Sequence, residues 1–238
     1  MKAEYISHMG SDLTVVNAAR VSFDKTSHWE FTETDPHHGG KTFRDPHLSE
    51  RDVNLIRFLA KNGHFTPFTH CVITMRETVP IFVARQRFKH TVGFSYNEVS
   101  RRYVDDPPTF YRPDSWRGRP VNSKQGSSDI EIDINPTRNG SKQMVDQYEQ
   151  LLKTAEYTYA FLLGQGVAPE QARMCLPQSM YTSYYVTGSL EAWARAYRLR
   201  IEDSAQKEIR DLAIQWDTLM HQYYPVSWKF LTWQFLTR

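Results

Sequence analysis

The 238 residues are 40% apolar and 24% charged, and Lys plus Arg exceed Asp plus Glu by 29 − 27 = +2. That is enough apolar material for one good core, most simply one globular domain, and so even a balance speaks against a sequence-nonspecific nucleic-acid binder, which spreads basic charge widely. No run approaches the ~18 apolar residues of a membrane span, MKAEYISHMGSDL lacks the apolar centre of a signal peptide, and two cysteines, Cys71 and Cys175, are too few for a disulfide scaffold or a Cys-rich zinc site. The expectation is a soluble cytoplasmic protein in a reducing compartment.

Ser11 is placed to cap a first helix from Asp12 to Arg20, with Leu13, Val16 and Val21 spaced for its buried stripe. The stretch from Ser27 to Asp45 is polar, and its His37-His38-Gly39-Gly40 reads as a solvated loop with no metal assigned. Ser49, followed three residues later by Asp52, opens a helix through Leu55, Ile56, Phe58 and Leu59 that stops near Gly63. Residues 71–79 alternate as a strand, and Pro80 suits the first position of a helix from Ile81 to about His90. On that helix Arg85 with Lys89, and Gln86 with His90, form adjoining polar strips, while Ile81, Phe82, Val83 and Phe88 supply apolar surface.

From about 105 to 139, Pro107, Pro108, Pro113, Pro120 and Pro136 interrupt every pattern. A loop of that length reads as an ordered lid and is itself a functional hint. Beyond it, 142–163 reads as a long amphipathic helix, Pro169 starts a short one, 181–187 is rich in β-formers, and 190–200 and 205–221 are helical. Helices clustered around a few strands make an α+β domain spanning 1–238.

Residues 85–103, RQRFKHTVGFSYNEVSRRY, set Arg85, Arg87, Lys89, Arg101 and Arg102 against Glu98, a local charge of 5 − 1 = +4 that leaves −2 for the rest. With Gln86, Ser95, Asn97 and Ser100 between the cations, the mixture suits a ligand bearing phosphates and a hydrogen-bonding ring. Neither a P-loop nor a GxGxxG turn is present, so side chains must meet the phosphates. Arg173 in QARMCLP and Arg200 in YRLRIEDSAQKEI add distant guanidiniums. A rival reading takes the same cations, interleaved with Phe88, Phe94, Tyr96 and Tyr103, as a surface for single-stranded nucleic acid.

Ser95-Tyr96-Asn97-Glu98-Val99-Ser100-Arg101-Arg102-Tyr103 resembles, without a gap, the second half of the signature of the flavin-dependent thymidylate synthases, Ser-(Tyr/Phe)-(Asn/Ser)-(Glu/Gln)-x-Ser-x-Arg-Tyr. AARVSF (18–23), GHFTPFTH (63–70), Arg173 in ARMCLP and LRIEDSAQKEI (199–209) resemble further family blocks in the family's order, so the resemblance runs over most of the chain. Lys89-His90-Thr91 stands where the family has Arg-His-Arg. A competing register puts Arg85-Gln86-Arg87 there with the literal spacing; the first is preferred because it keeps Gln86 in the preceding Arg-Gln element, with Gly93 absorbing one extra residue.

The resemblance implies a small, mostly antiparallel sheet flanked by long helices. It also implies reductive methylation of dUMP to dTMP, with methylenetetrahydrofolate as carbon donor and NADPH-reduced FAD as hydride donor. The active sites are expected to be shared between chains of a homotetramer, with no role for a metal, nucleic acid or membrane. Carried over by position, Ser22, His64, Thr66, Lys89, His90, Thr91 and Glu98 contact FAD. Further flavin contacts fall around Ser189, Glu191 and Arg195, although Glu191 cannot bind a phosphate as Arg does. Gln86, Arg87, Lys89, Glu98, Val99, Ser100, Arg101, Arg102, Arg173 and Arg200 hold dUMP. Arg200 is the expected catalytic group, stabilising negative charge on the uracil ring, while Ser100 and Arg102 position the phosphate. Cys71 and Cys175 are expected as small core residues.

Overall fold

A computed structural model describes residues 1–34, 43–104, 106–121, 126–128, 130–132 and 139–233. In chain order the elements are β1 (Lys2–Met9), α1 (Asp12–Arg20), β2 (Glu30–Thr34), β3 (Phe43–His47), α2 (Glu50–Lys61), β4 (Val72–Pro80), α3 (Ile81–Arg87), β5 (Phe94–Glu98), α4 (Asn139–Gly164), α5 (Pro169–Ala172), β6 (Tyr181–Ser189), α6 (Leu190–Arg200), α7 (Lys207–Tyr223) and α8 (Pro225–Trp233). Short 3-10 turns occupy Val21–Phe23, Thr66–His70 and Arg173–Cys175. β1, β4, β6 and β5 form an antiparallel sheet in that spatial order, and β2 pairs with β3 in a separate ribbon.

Strand alternation decides what the sheet covers. Ile73, Met75, Glu77 and Val79 of β4 are buried, as are Thr182, Tyr184, Val186 and Gly188 of β6, while Thr74, Arg76, Thr78, Ser183, Tyr185 and Thr187 between them are not. The register, with Met75 opposite Val186 and Val79 opposite Thr182, stacks the buried sets into one face. Helices α6, α7 and α8 contribute Trp193, Trp216 and Trp228, all fully buried. Burying a side chain of that size is worth roughly 1.5–3 kcal/mol, so this indole cluster is a principal source of stability.

Ser49 Oγ accepts from the Asp52 amide at 3.2 Å, and Gly63 takes φ +67° just past α2. The stripe of α1 differs from expectation: Val15 and Val16 are its buried aliphatics, whereas Val21 is 71% exposed because the helix tightens into a 3-10 turn there. Pro80 closes β4 and caps α3, which ends at Arg87. Lys89 and His90 therefore lie in the following turn, not on helical strips. Gly93, at φ +78°, takes that turn into β5, where an added Cβ would lie 2.9 Å from the Ala192 Cβ.

β1, β2, β3, β5 and α8 have no counterpart in the pattern of the sequence. Asp12 explains α8: its buried carboxylate accepts from the amides of Val226 (2.9 Å) and Ser227 (2.8 Å) at the start of that helix. Burial pushes the Asp12 carboxyl up, and those hydrogen bonds pull it back.

The His37-His38 tract lies outside the described residues. The described parts of 105–139 dock on the body through Arg117–Glu208 (2.7 Å), Arg112–Glu149 (2.8 Å) and a Tyr148 hydroxyl donating to the Tyr111 carbonyl (2.7 Å). Cys71 is buried, with its thiol pushed up to about 12 by burial, and half-buried Cys175 donates to the Ala172 carbonyl at 3.2 Å. No helix among the described residues is long and apolar enough to cross a membrane.

Candidate active site

At the Tyr181–Ser183 end of β6, where β5 leaves the sheet edge, a cleft of about 680 Å³ opens. Glu98, Val99, Ser100 and Arg101 enter it from the turn after β5, Arg173 from the turn after α5, and Arg76, Thr78, Tyr181 and Ser183 from the sheet. The Val99 amide donates to the Ser183 carbonyl at 2.9 Å, which prolongs the β5–β6 ladder and presents the next residues to the cleft. Glu98 accepts from Thr182 Oγ1 at 2.6 Å, and Arg76 Nε donates to Ser183 Oγ at 2.9 Å. Arg101 donates to the Asp106 carbonyl. Arg102 pairs with Glu170 at 3.3 Å, but both side chains are more than half exposed, so the pair is weak and the guanidinium can be recruited by a ligand. Three arginines and the Ser100 hydroxyl facing one cleft make a site for an anion of phosphate type.

A second cluster forms where α3 and α6 end. Arg200 Nε donates to His90 Nε2 at 2.9 Å and Arg200 Nη2 to the Gln86 carbonyl at 3.4 Å. Gln86 donates from its side chain to Gln206, which donates to Glu208 at 2.8 Å. Burial, reinforced by the charges of Arg200, Arg87 and Arg195, holds the His90 imidazole down at about 4, so it is a neutral acceptor at physiological pH. The unfolded imidazole takes a proton below about 6.5, whereas the folded one stays neutral to about 4. The unfolded state therefore binds more protons between those values, and stability should fall as pH drops through that window, by at most about 3 kcal/mol. Urea midpoints measured from pH 7 to 4 should show a shallower decline in His90→Asn than in the parent protein.

Arg87 is a correction. Although the sequence placed it among the nucleotide contacts, it is fully buried, paired with fully buried Glu77 at 3.2 Å and donating to Tyr96 Oη at 2.6 Å. The rings of Phe94, Trp193, Trp216 and Tyr96 enclose it, their centroids 4.4, 4.6, 4.8 and 5.3 Å from Cζ. No ligand reaches that guanidinium. Because Arg87, Phe94 and Tyr96 turn inward, the basic and aromatic stretch does not form the continuous surface that the nucleic-acid reading requires.

The remaining candidates line the opposite end of β6. Ser189 caps α6, accepting from the Ala192 amide at 3.3 Å, and its own amide donates to the Gly93 carbonyl at 3.2 Å. Arg195 donates to the Val92 carbonyl at 2.5 Å, and Lys89 and Thr91 are exposed on the same turn. Glu191 is half-buried, faces Arg198 at 3.5 Å and has its carboxyl pushed up by burial, so it does not meet a phosphate. Exposed His64 and Thr66 precede or begin the 3-10 turn that packs against both α1 and α6, and exposed Ser22 follows α1. Lys89, Arg195, hydroxyls and the exposed apolar side chains Val21, Phe65 and Val92 fit a cofactor carrying phosphates and a flat ring. Among the described residues no group of three or more His, Cys, Asp or Glu could hold a metal.

Ser183 in the cleft and Ser189 at the opposite end of the strand are roughly 20 Å apart along β6. One chain thus presents the candidates as separate sets, with Glu98–Arg102 and Arg173 in one and Lys89, Thr91, Ser189 and Arg195 in another. His90, Gln86 and Arg200 lie against the helices. Arg76, Thr78 and Ser183 were missed because their strand alternation marks only an outward face. Glu77 carried a signal: it is an acid at a buried position of an alternating strand, which demands a buried partner.

A family model described as "Thymidylate synthase complementing protein" matches residues 4–226. The chain is 36% identical to the flavin-dependent thymidylate synthase of Thermosipho africanus, covering 94% of this chain and 87% of that protein, and 32% identical to that of Thermus thermophilus, covering 94% and 72%. A solved structure of the UMP/dUMP methylase PolB from Streptomyces cacaoi bound with 5-Br UMP superposes with a TM-score of 0.77 at 27% identity, covering 98% of this chain and 94% of that one; the form bound with 5-Br dUMP gives 0.75 at 26%. The match along nearly the whole chain, the shared fold and the ordered motifs agree, and the chain belongs to the flavin-dependent thymidylate synthase family.

Proposed function

We propose that the protein methylates dUMP to dTMP, with methylenetetrahydrofolate as carbon donor, NADPH as reductant and FAD as the bound flavin. The observation that carries this reading is the convergence of Glu98, Val99, Ser100 and Arg101 with distant Arg173 in one cleft. Ser100, Arg101, Arg102 and Arg173 hold the nucleotide phosphate, each charge-assisted contact contributing roughly 1.5–3 kcal/mol. Ser22, His64, Thr66, Lys89, Thr91, Ser189 and Arg195 hold FAD, which supplies hydride when bound. Arg200 meets the uracil edge and stabilises negative charge developing on the ring, while neutral His90 accepts from it.

The separation of the sets along β6 supports a homotetramer in which the cleft of one chain meets the Gln86, His90 and Arg200 cluster of another. An absorbance spectrum of purified protein with FAD, followed by anaerobic NADPH reduction with and without dUMP, tests the reading. A bound-flavin spectrum, dUMP-sensitive reoxidation and dTMP product are expected. Absence of flavin binding at micromolar FAD would sink it, and equal turnover of UMP would move the substrate assignment toward the ribonucleotide.

A further inference from the structure

A chain of directed contacts runs from the core to Arg200. Glu77 Oε2 accepts from the Tyr184 hydroxyl at 2.5 Å and Glu77 Oε1 from Arg87 Nε at 3.2 Å. Arg87 Nη1 donates to Tyr96 Oη at 2.6 Å, and the Tyr96 hydroxyl donates to the His90 carbonyl at 2.7 Å. His90 Nε2 then meets Arg200 Nε at 2.9 Å.

The chemistry of the donors fixes every direction. A guanidinium only donates, so the Tyr96 oxygen accepts from Arg87 and turns its own proton to a carbonyl, that of His90 at 2.7 Å in preference to that of Arg87 at 3.3 Å. Arg200 Nε also only donates, so His90 Nε2 carries a lone pair and the ring proton sits on Nδ1.

The turn that carries His90 needs such an anchor. Lys89, Thr91 and Val92 are exposed and Gly93 adopts a left-handed conformation; Arg195 and the Ser189 amide hold the Val92 and Gly93 carbonyls, which leaves the His90 carbonyl to Tyr96. The Tyr96 ring is itself held, edge-on to Phe88 at 5.1 Å and to Tyr184 at 6.1 Å. Arg87 is immobilised by its cage of rings and by Glu77. A buried ion pair of this kind brings little net stability over an apolar pair, so its use is better sought in geometry.

We propose that Tyr96, backed by the buried Glu77–Arg87 pair, is a positioning residue for Arg200, acting through His90. It clamps the His90 backbone so that one ring nitrogen aims the guanidinium. The inference rests on the reading of Arg200 as the group that meets the uracil, and the test separates the two.

Tyr96→Phe removes one oxygen. In the full-length, flavin-loaded protein it should lower kcat for dTMP formation by about tenfold or more, with KM for dUMP within about twofold and flavin content close to the parent's, while Tm falls by a few degrees because buried Arg87 Nη1 loses its acceptor. In an Arg200→Ala background the same change should add less than about twofold, because its route of action is gone. An unchanged kcat in Tyr96→Phe, or a loss repeated in full without Arg200, overturns the proposal.

If Arg200→Ala turns over normally, the reading of Arg200 fails, and imidazole ¹⁵N spectra decide positioning alone. A single Nδ1–H tautomer for His90 in the parent and a mixture in Tyr96→Phe support it; the same tautomer in both overturns it. Should Tyr96→Phe fail to fold, Arg87→Lys, which keeps the buried charge but not the fork, goes through the same cycle with the same readings.

Discussion

Arg87→Met is expected to destabilise the protein by about 3–5 kcal/mol, while adding Glu77→Gln should restore most of the loss. The single change removes the cation that compensates a carboxylate with no access to water. A charge in that position is far more costly than a neutral amide. Gln at 77 still accepts from the Tyr184 hydroxyl, which now donates to Glu77 at 2.5 Å, and Met fills much of the space among Phe94, Trp193 and Trp216. Urea denaturation of the parent, both single variants and the double variant checks this. A double variant as unstable as Arg87→Met would show that the aromatic cage, not the charge pairing, holds the energy.

Arg200→Ala should keep flavin content near the parent level and reduce dTMP formation by roughly 10²–10³-fold, the cost of removing one preorganised donor aimed at developing charge. Arg200 is half-buried and keeps two contacts, so its remaining N–H groups are oriented before a nucleotide arrives. Burial and the Arg87 charge lower its pKa, so pairing with an anionic ring relieves a cation that its surroundings disfavour. Single-turnover assays with photoreduced flavin separate chemistry from flavin reduction; near-parental turnover would refute the role. Arg200→Lys should recover only part of the rate, since an ammonium lacks the planar fork.

What the sequence made legible was local. Ser11 and Ser49 mark helix starts through hydrogen bonds that close within three residues, and α6 falls at Leu190–Arg200 as its pattern predicts. Of the block from Ser95 to Tyr103, Glu98 to Arg101 line the cleft together because they are contiguous, while Tyr96 turns to the core. Arg87 misled because its neighbours in sequence are basic and polar, whereas its neighbours in space are Glu77, Trp193 and Trp216. β1 was hidden because its residues are mostly exposed or half-buried, and only pairing with β4, through a register shift between Tyr5 and Ser7, makes it a strand. The meeting of His90 and Arg200 likewise depends on how α3 and α6 each pack against α7, which no periodicity encodes.

The stitching of Asp12 to Val226 and Ser227 has a temporal side. The Ala3 amide donates to Gln215 Oε1 at 2.8 Å, and the Tyr224 hydroxyl lies 3.0 Å from the Met9 carbonyl and 3.1 Å from that of Val72. During synthesis, β1 and α1 emerge from the ribosome about two hundred residues before the groups that satisfy them. Asp12 must stay hydrated until α8 is made, because burying it earlier would strand a carboxylate without donors. Closure of the core therefore waits for nearly the whole chain, the arrangement that makes folding slow and keeps the nascent N-terminal strand available to chaperones.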